Sequence, residues 1–461
     1  SRERYWGTPL PIWLSTTGER FVVDSIETLK NFTKKNNNTF LFVRHGEAES
    51  NAEGIVTSDE KADIKLTQKG KDDIATLAQF LKERNVTAVY ASPFVRTQES
   101  AHIIADTIGF KQKNIVTDER IREFNFGEYS GKPFEEYLSY KKEHMQNFNS
   151  AIPAGESFLD AKKRFGEFLY EIDQKHTGET IVVVTHGIGL EVISAVIQGA
   201  DTKRSEEIVR SKYFNPGEVL EFAFTPLPHN ENFELDLHRP FIDDVVLMKE
   251  GIEYRRVKEV MDVWFDSGAM PLAQHHYPFE NKELVDSTFY PADFISEAID
   301  QTRGWFYTLH AIGVLLGRGK AYKNVICLGH ILDKDGQKMS KSRGNTINPW
   351  EAVDTYGVDV LRFWMYTVNQ PGESKNFDPR TVDDITKKVF NLLENVVKFY
   401  ELYAGNRSTS ERPDSSNVLD KWILALFDQT VITVTEHMDS YRVLEAARAI
   451  REFIAELSQW Y

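Results

Sequence analysis

Three short apolar runs, Phe40-Leu41-Phe42-Val43, Ala88-Val89-Tyr90 and Ile181-Val182-Val183-Val184, constrain the fold of this chain more than any other feature. Each has the length of a strand and lacks polar alternation, the pattern of a parallel strand covered on both faces. Between them the apolar spacing turns helical. Ile74, Leu77, Ala78 and Leu81 fall at i, i+3, i+4 and i+7, and Ala101, Ile104, Ala105 and Ile108 repeat the pattern before Gly109. Strand–helix alternation from about residue 39 to 225 predicts a parallel α/β sheet with helices on both faces.

Ligands of such sheets bind beyond the carboxyl ends of the strands. Those ends carry Arg44-His45-Gly46-Glu47, Ser92-Pro93-x-x-Arg96-Thr97 and Thr185-His186-Gly187. Arg44 and Arg96 offer guanidinium forks that match phosphate oxygens. A phosphate held between them leaves one imidazole free to attack phosphorus, while the second, once protonated, stabilises the equatorial oxygens. A carboxylic acid must then protonate the departing alkoxide and later activate water.

These blocks, with Asn51 and Leu66-Thr67-x-x-Gly70, resemble the histidine phosphatase (phosphoglycerate mutase-like) superfamily. The resemblance implies that His45 is the nucleophile and that Arg44, Asn51, Arg96 and His186 form the phosphate pocket. It also implies that Glu123, four residues before Gly127, is the acid. No cofactor is implied for this domain, and the phosphorylated substrate is unidentified. A binding or scaffold module with an idle pocket is the alternative.

A second chemistry lies downstream. Lys338-Met339-Ser340-Lys341-Ser342, with Gly336 and Gly344 flanking it, suits a loop that closes over a polyphosphate and neutralises departing pyrophosphate. This run resembles the second signature of class I aminoacyl-tRNA synthetases. Further blocks resemble their isoleucyl type: Arg4-Tyr5-Trp6-Gly7-Thr8-Pro9, Asp236-Leu237-His238-Arg239-Pro240, Asp262-Val263-Trp264-Phe265-Asp266-Ser267-Gly268 and Asp300-Gln301-Thr302-Arg303-Gly304-Trp305-Phe306. The resemblance implies ATP with Mg²⁺, isoleucine and tRNA-Ile as partners. It assigns Glu297, Asp300, Gln301, Trp305, Lys338 and Lys341 to ATP or the adenylate, and Trp264 to the amino-acid pocket. A valyl or leucyl type is the runner-up.

The chain departs from that pattern in places. Ala298 stands where a glycine is usual. The first half of the nucleotide-binding fold and the editing domain are absent, so this chain alone is not expected to activate isoleucine. Cysteine pairs of relatives are replaced by Leu14-Ser15-Thr16-Thr17 and Met248-Lys249-Glu250-Gly251, so no zinc is expected. Cys327 is the single cysteine, which excludes an internal disulfide and fits a cytoplasmic location. With 55 basic and 70 acidic residues the net charge is −15, so any nucleic-acid contact must be a local patch. No run is apolar enough to span a bilayer.

The expected architecture is therefore α/β. A three-layer α/β/α histidine-phosphatase-like domain, 36–228, is inserted into the C-terminal half of a Rossmann-like synthetase catalytic domain, segments 1–35 and 229–377. The start of a helical anticodon-binding bundle follows at 378–461. Arg4 to Trp13 reads as a structured loop, and the polar run 33–39, with three consecutive asparagines, reads as a linker. Both ends read as cut, so a longer parent protein is expected.

Overall fold

The computed structural model describes residues 5–144, 148–404 and 415–461. Arg4 and most of the polar stretch 406–417, which the sequence sets between two helices, lie outside the described residues. The chain forms two compact units, residues 1–261 and 262–461.

The first unit holds two sheets. Strands β1 (Ile12–Ser15) and β2 (Arg20–Val22) come first. Strands β3 (Thr39–Arg44), β4 (Val86–Ala91), β5 (Val116–Thr117), β6 (Thr180–Thr185) and β7 (Val219–Ala223) form a five-stranded sheet in the order β5-β4-β6-β3-β7. Strands β8 (Val246–Lys249) and β9 (Ile252–Arg256) close a smaller antiparallel sheet, β2-β1-β9-β8.

In the large sheet β3, β4, β5 and β6 run parallel, as the apolar runs require. The period of two splits their side chains between two cores. Phe40, Phe42, Ile181 and Val183 pack under the helix Phe158–Lys175, and Leu41, Val43, Val182 and Val184 pack under the helices Gln68–Leu81 and Val95–Ile108. Helices thus cover both faces, giving three layers. The all-parallel expectation needs one correction. Strand β7 lies antiparallel beside β3, with Thr39 opposite Ala223. Its residues Val-Leu-Glu-Phe-Ala are only half buried, the signature of an edge strand rather than a central one.

Two further readings change. Ile12 and Trp13 belong to β1 rather than to a loop, and the Trp13 indole donates to the Val245 carbonyl at 2.9 Å. The asparagine run is pinned rather than loose: Asn36 and Asn38 donate amide hydrogens to Asp173 at 2.8 and 2.9 Å, and Asn38 is fully buried. The segments 1–30 and 234–370 are expected to meet, and β1 pairs with β9, Trp13 opposite Arg256.

In the second unit β10 (Ala292–Ala298) and β11 (Tyr322–Leu328) pair in parallel, and β12 (Ile331–Leu332) pairs with β13 (Lys375–Asn376). Helices follow from Pro379 onward. Val389 sits in a wide turn, Thr386–Phe390, and Leu392, Leu393 and Val396 lie in the helix Asn391–Ala404 that follows. Leu419, Trp422, Ile423 and Leu426 share the helix Val418–Asp439, which packs on Val443–Trp460 through Phe427 and Phe453. Among the described residues no helix is long and apolar enough to cross a membrane.

Candidate active site

At the carboxyl ends of β3, β4 and β6 a cavity of about 700 Å³ opens in the first unit, lined by Arg44, His45, Asn51, Arg96 and Glu123 among others. His45 follows β3 directly and is held in line by its own N–H, which donates to the Thr185 carbonyl at 3.0 Å. The Nδ1 of His45 lies 2.7 Å from the Gly46 carbonyl, so Nδ1 carries the proton and Nε2 is the free base. That Nε2 accepts from Arg96 Nε at 3.2 Å. Burial and the neighbouring cations Arg96, His186 and Arg44 hold the His45 imidazole well below its usual range.

His186 follows β6 and begins the helix Gly187–Val196, whose N-terminal dipole favours an anion here. The two imidazoles stand 5.2 Å apart between ring centroids, close enough to share one phosphate. Ser92 Oγ lies 2.8 Å from His186 Nε2, which leaves Nδ1 facing Arg96 at 3.3 Å and Glu123 at 3.3 Å. Burial lowers the His186 pKa to about 4, against the pull of Glu123. Arg96 is 3% exposed and lies across the Phe94 ring at 4.7 Å, so packing fixes its guanidinium.

Arg44 is anchored by donation to the Phe214 carbonyl, and its Nε is buried with no partner. A buried guanidinium N–H left unpaired is costly, and a bound oxyanion would satisfy it. Gly187 gives the room: a Cβ there would sit 3.3 Å from the guanidinium. Asn51 accepts the Ala48 N–H at 3.0 Å and lines the same cavity.

Glu123 is held by its backbone. Arg164 donates to the carbonyls of Arg120, Arg122 and Glu123, and pairs with Glu156 at 2.7 Å. Gly127 takes φ 50° and lies so close to Pro153 that a Cβ would strike its carbonyl, which explains the glycine four residues on. Burial works to raise the Glu123 carboxyl, but His186, Arg96 and the Phe124 N–H outweigh it and hold it at about 2. His45, Glu123 and His186 present atoms within 4.8 Å of one another, a spacing a metal could use. Arg96 lies within 3.5 Å of all three, and a guanidinium there repels a cation. The donor set fits an oxyanion.

All five residues read as catalytic in the sequence, and Asn51, therefore converge. Three others in the cavity escaped that reading: Tyr137, Lys141 and Glu191. A wider groove of about 1080 Å³ near Pro226–Asn232 collects no such cluster of acids and bases.

The second unit gathers part of the other constellation. Trp305 donates its indole N–H to the Ser267 carbonyl at 3.1 Å, and its backbone N–H to Gln301 Oε1 at 3.0 Å. Trp264 lies against Gly304, whose missing Cβ would meet that ring at 3.3 Å. Glu297 is the next-to-last residue of β10 and Asp300 follows the strand, both exposed. Lys338 and Lys341 are exposed on a loop tied by Asn345, which accepts from Ser340 N at 2.9 Å and donates to Asp333 at 2.8 Å. Among the described residues no hydrogen bond or ion pair joins either lysine to the Glu297–Trp305 group.

Comparison with known proteins gives three matches. Residues 215–378 match tRNA synthetases class I (I, L, M and V), residues 40–212 match the histidine phosphatase superfamily (branch 1), and residues 420–461 match the anticodon-binding domain of tRNA ligase. The isoleucine–tRNA ligase of Clostridium tetani is 49% identical over 234 residues, 50% of this chain and 22% of that protein. That of Deinococcus radiodurans is 47% identical over 259 residues, 53% of this chain and 24% of that protein. The chain thus spans less than a quarter of the length of these relatives. Among solved structures, Bacillus stearothermophilus YhfR is 24% identical with a TM-score of 0.36, covering 49% of this chain and 98% of that one.

Proposed function

We infer that this chain is part of an isoleucine–tRNA ligase whose catalytic domain is interrupted by an active phosphomonoesterase domain working through a phosphohistidine at His45. Near-50% identity to isoleucine–tRNA ligases over half the chain supports the first part. The observation that carries the second is the convergence of His45, His186, Arg44, Arg96 and Glu123 at the head of one cavity. A pocket kept only for binding has no use for an unprotonated imidazole Nε2 held against the Arg96 guanidinium.

The steps follow from the geometry. Arg44 and Arg96 grip the phosphate, and the low pKa of His45 keeps Nε2 unprotonated for in-line attack. Phosphorus bonds to Nε2 as the P–O bond to the alcohol breaks. His186 takes up a proton once the dianion offsets Arg96, and its imidazolium stabilises the equatorial oxygens. Glu123 gives its proton to the departing alkoxide. In the second half-reaction Glu123 takes a proton from water, whose oxygen attacks phosphorus and frees the imidazole.

Glu123 at about 2 is ionised in the empty site. It gains its proton on binding, when phosphate charge cancels the cations that hold it down. In the synthetase part the exposed lysines Lys338 and Lys341 neutralise pyrophosphate leaving the α-phosphate of ATP. Magnesium belongs to the nucleotide substrate in this reading; among the described residues no cluster of three metal-ligating side chains lies in the second unit.

Two experiments test the reading. Brief incubation with a ³²P-labelled phosphomonoester leaves acid-labile label on the protein, absent in His45→Ala. No label and no turnover of p-nitrophenyl phosphate would reject the phosphohistidine. In the longer protein, Lys338→Ala or Lys341→Ala lowers isoleucine-dependent ATP–pyrophosphate exchange by roughly a hundredfold; exchange driven better by valine or leucine would reassign the amino acid.

A further inference from the structure

Beyond the phosphate seat the cavity has a second wall that no step above uses. The helix Phe134–His144 brings Tyr137 and Lys141, one turn apart on one face, to this cavity. Glu191 reaches it from the helix Gly187–Val196. The three act on one another: Glu191 and Lys141 shift each other's titration, and Glu191 bears on Tyr137.

Their burial calls for an explanation. Tyr137 is 2% exposed, and its hydroxyl has no hydrogen-bond partner. Glu191 is 6% exposed, and no hydrogen bond or ion pair joins its carboxyl to another described residue. Burial pushes its carboxyl up to about 8, opposed by Lys141 and Arg44. The Lys141 ammonium lies over the Phe158 ring at 4.7 Å, and burial lowers its pKa. The buried, unpaired Tyr137 hydroxyl costs stability, and that cost is recovered when a ligand completes it.

We propose that this wall is a leaving-group subsite for phosphomonoesters whose alcohol bears further hydroxyl groups, held by Glu191, Tyr137 and Lys141. The proposal rests on the phosphatase reading and narrows its substrate. The three side chains present acceptors and donors together: Glu191 and Tyr137 offer both, and Lys141 donates only. A carboxylate or second phosphate accepts but cannot donate, so it would leave the acceptors of Glu191 dry. A hydroxyl does both. Phe126, Phe134, Leu138 and Ile188 line the same cavity and give the carbon skeleton an apolar face.

The test reads binding apart from turnover. His45→Ala protein is titrated by calorimetry with ribose 5-phosphate and with ethyl phosphate, which share the phosphate and differ in hydroxyls. Ribose 5-phosphate is expected to bind at least about tenfold tighter, the worth of one or two hydrogen bonds. Adding Tyr137→Phe or Glu191→Gln cuts that ratio to about threefold or less. Tyr137→Phe removes only an unpartnered hydroxyl, so it keeps the fold and isolates the binding effect. AMP as a third ligand separates a nucleoside source of the hydroxyls from a free sugar, and 3-phosphoglycerate supplies the anionic alternative. Equal affinities, a ratio untouched by both substitutions, or tightest binding of 3-phosphoglycerate would overturn the subsite. Turnover of p-nitrophenyl phosphate by the unmutated protein is read separately. Its absence with the ratio intact sinks the phosphatase reading and leaves the subsite, and the reverse pattern sinks the subsite alone.

Discussion

In the proposed reaction Glu123 answers two opposed demands, to be charged when the site is empty and protonated when an alkoxide leaves. Glu123→Gln is therefore expected to slow alkyl phosphates by about a hundredfold or more while slowing p-nitrophenyl phosphate far less, since that leaving group needs no proton. Equal losses on both substrates would remove Glu123 from the acid's role. Phosphate binding should also draw protons from solution. Glu123 at about 2 and His186 at about 4 both rise when a dianion sits beside them. Calorimetry at mildly acid pH, in buffers of different ionisation enthalpy, is expected to register net uptake. His45 is held down in the same direction. Its lowered pKa keeps the nucleophile free as pH falls, so kcat/KM on p-nitrophenyl phosphate is expected to have no inflection from this group near 6.5. Arg44, His45, Arg96 and His186 are legible in the sequence because each sits within a few positions of a strand end, whereas Glu123 is legible only through resemblance, four residues before Gly127. Tyr137, Lys141 and Glu191 are not. Each is one charged or aromatic residue on a helix, and only the packing of two helices distant in sequence, Phe134–His144 and Gly187–Val196, turns them toward one cavity.

At the scale of elements the catalytic loop is set by close backbone approach. A Cβ on Gly46 would meet the Gly70 carbonyl at 2.4 Å, and one on Gly70 would meet the Glu47 carbonyl at 2.1 Å. The first turn of the helix Gln68–Leu81 thus lies against the loop bearing His45, tied by Thr67 N–H donation to the Glu47 carbonyl at 2.9 Å. Gly70→Ala is expected to cost about 2–3 kcal/mol in chemical denaturation, because backbone rather than a flexible side chain must give way. A cost below about 0.5 kcal/mol would mean the loop shifts freely. The buried strands and their helices were plain in the sequence because burial on both faces leaves an unbroken apolar run. Strand β7 was hidden by being half exposed, and β1 by the proline-rich text before it. Asn38 read as linker because composition cannot reveal that its amide meets a buried Asp173.

For the first unit as a whole, the histidine-phosphatase-like fold comes in and goes out at neighbouring points. Thr39 lies opposite Ala223, and Phe224 N–H donates to the Asn38 carbonyl at 3.3 Å. Such an arrangement lets one domain sit within another without straining the host. The chain past residue 228 still packs on this fold. Phe233 is buried in the larger core against Gly166, and Leu235 N–H donates to the Gly199 carbonyl at 2.9 Å. Residues 36–235 expressed alone are therefore expected to melt in one cooperative transition and to keep phosphatase activity. The same fragment stopped at 228 loses Phe233 and should melt at a lower temperature; identical melting of the two would show that the tail is idle. The pairing of β3 with β7 also decides how the domain yields to a pull on the surrounding chain. Once the tail through Leu235 has let go, both tethers attach at one end of a zipper whose rungs run from Thr39–Ala223 to Val43–Val219. Tension peels it one rung at a time from the tethered side, so the teeth nearest His45 are the last to part.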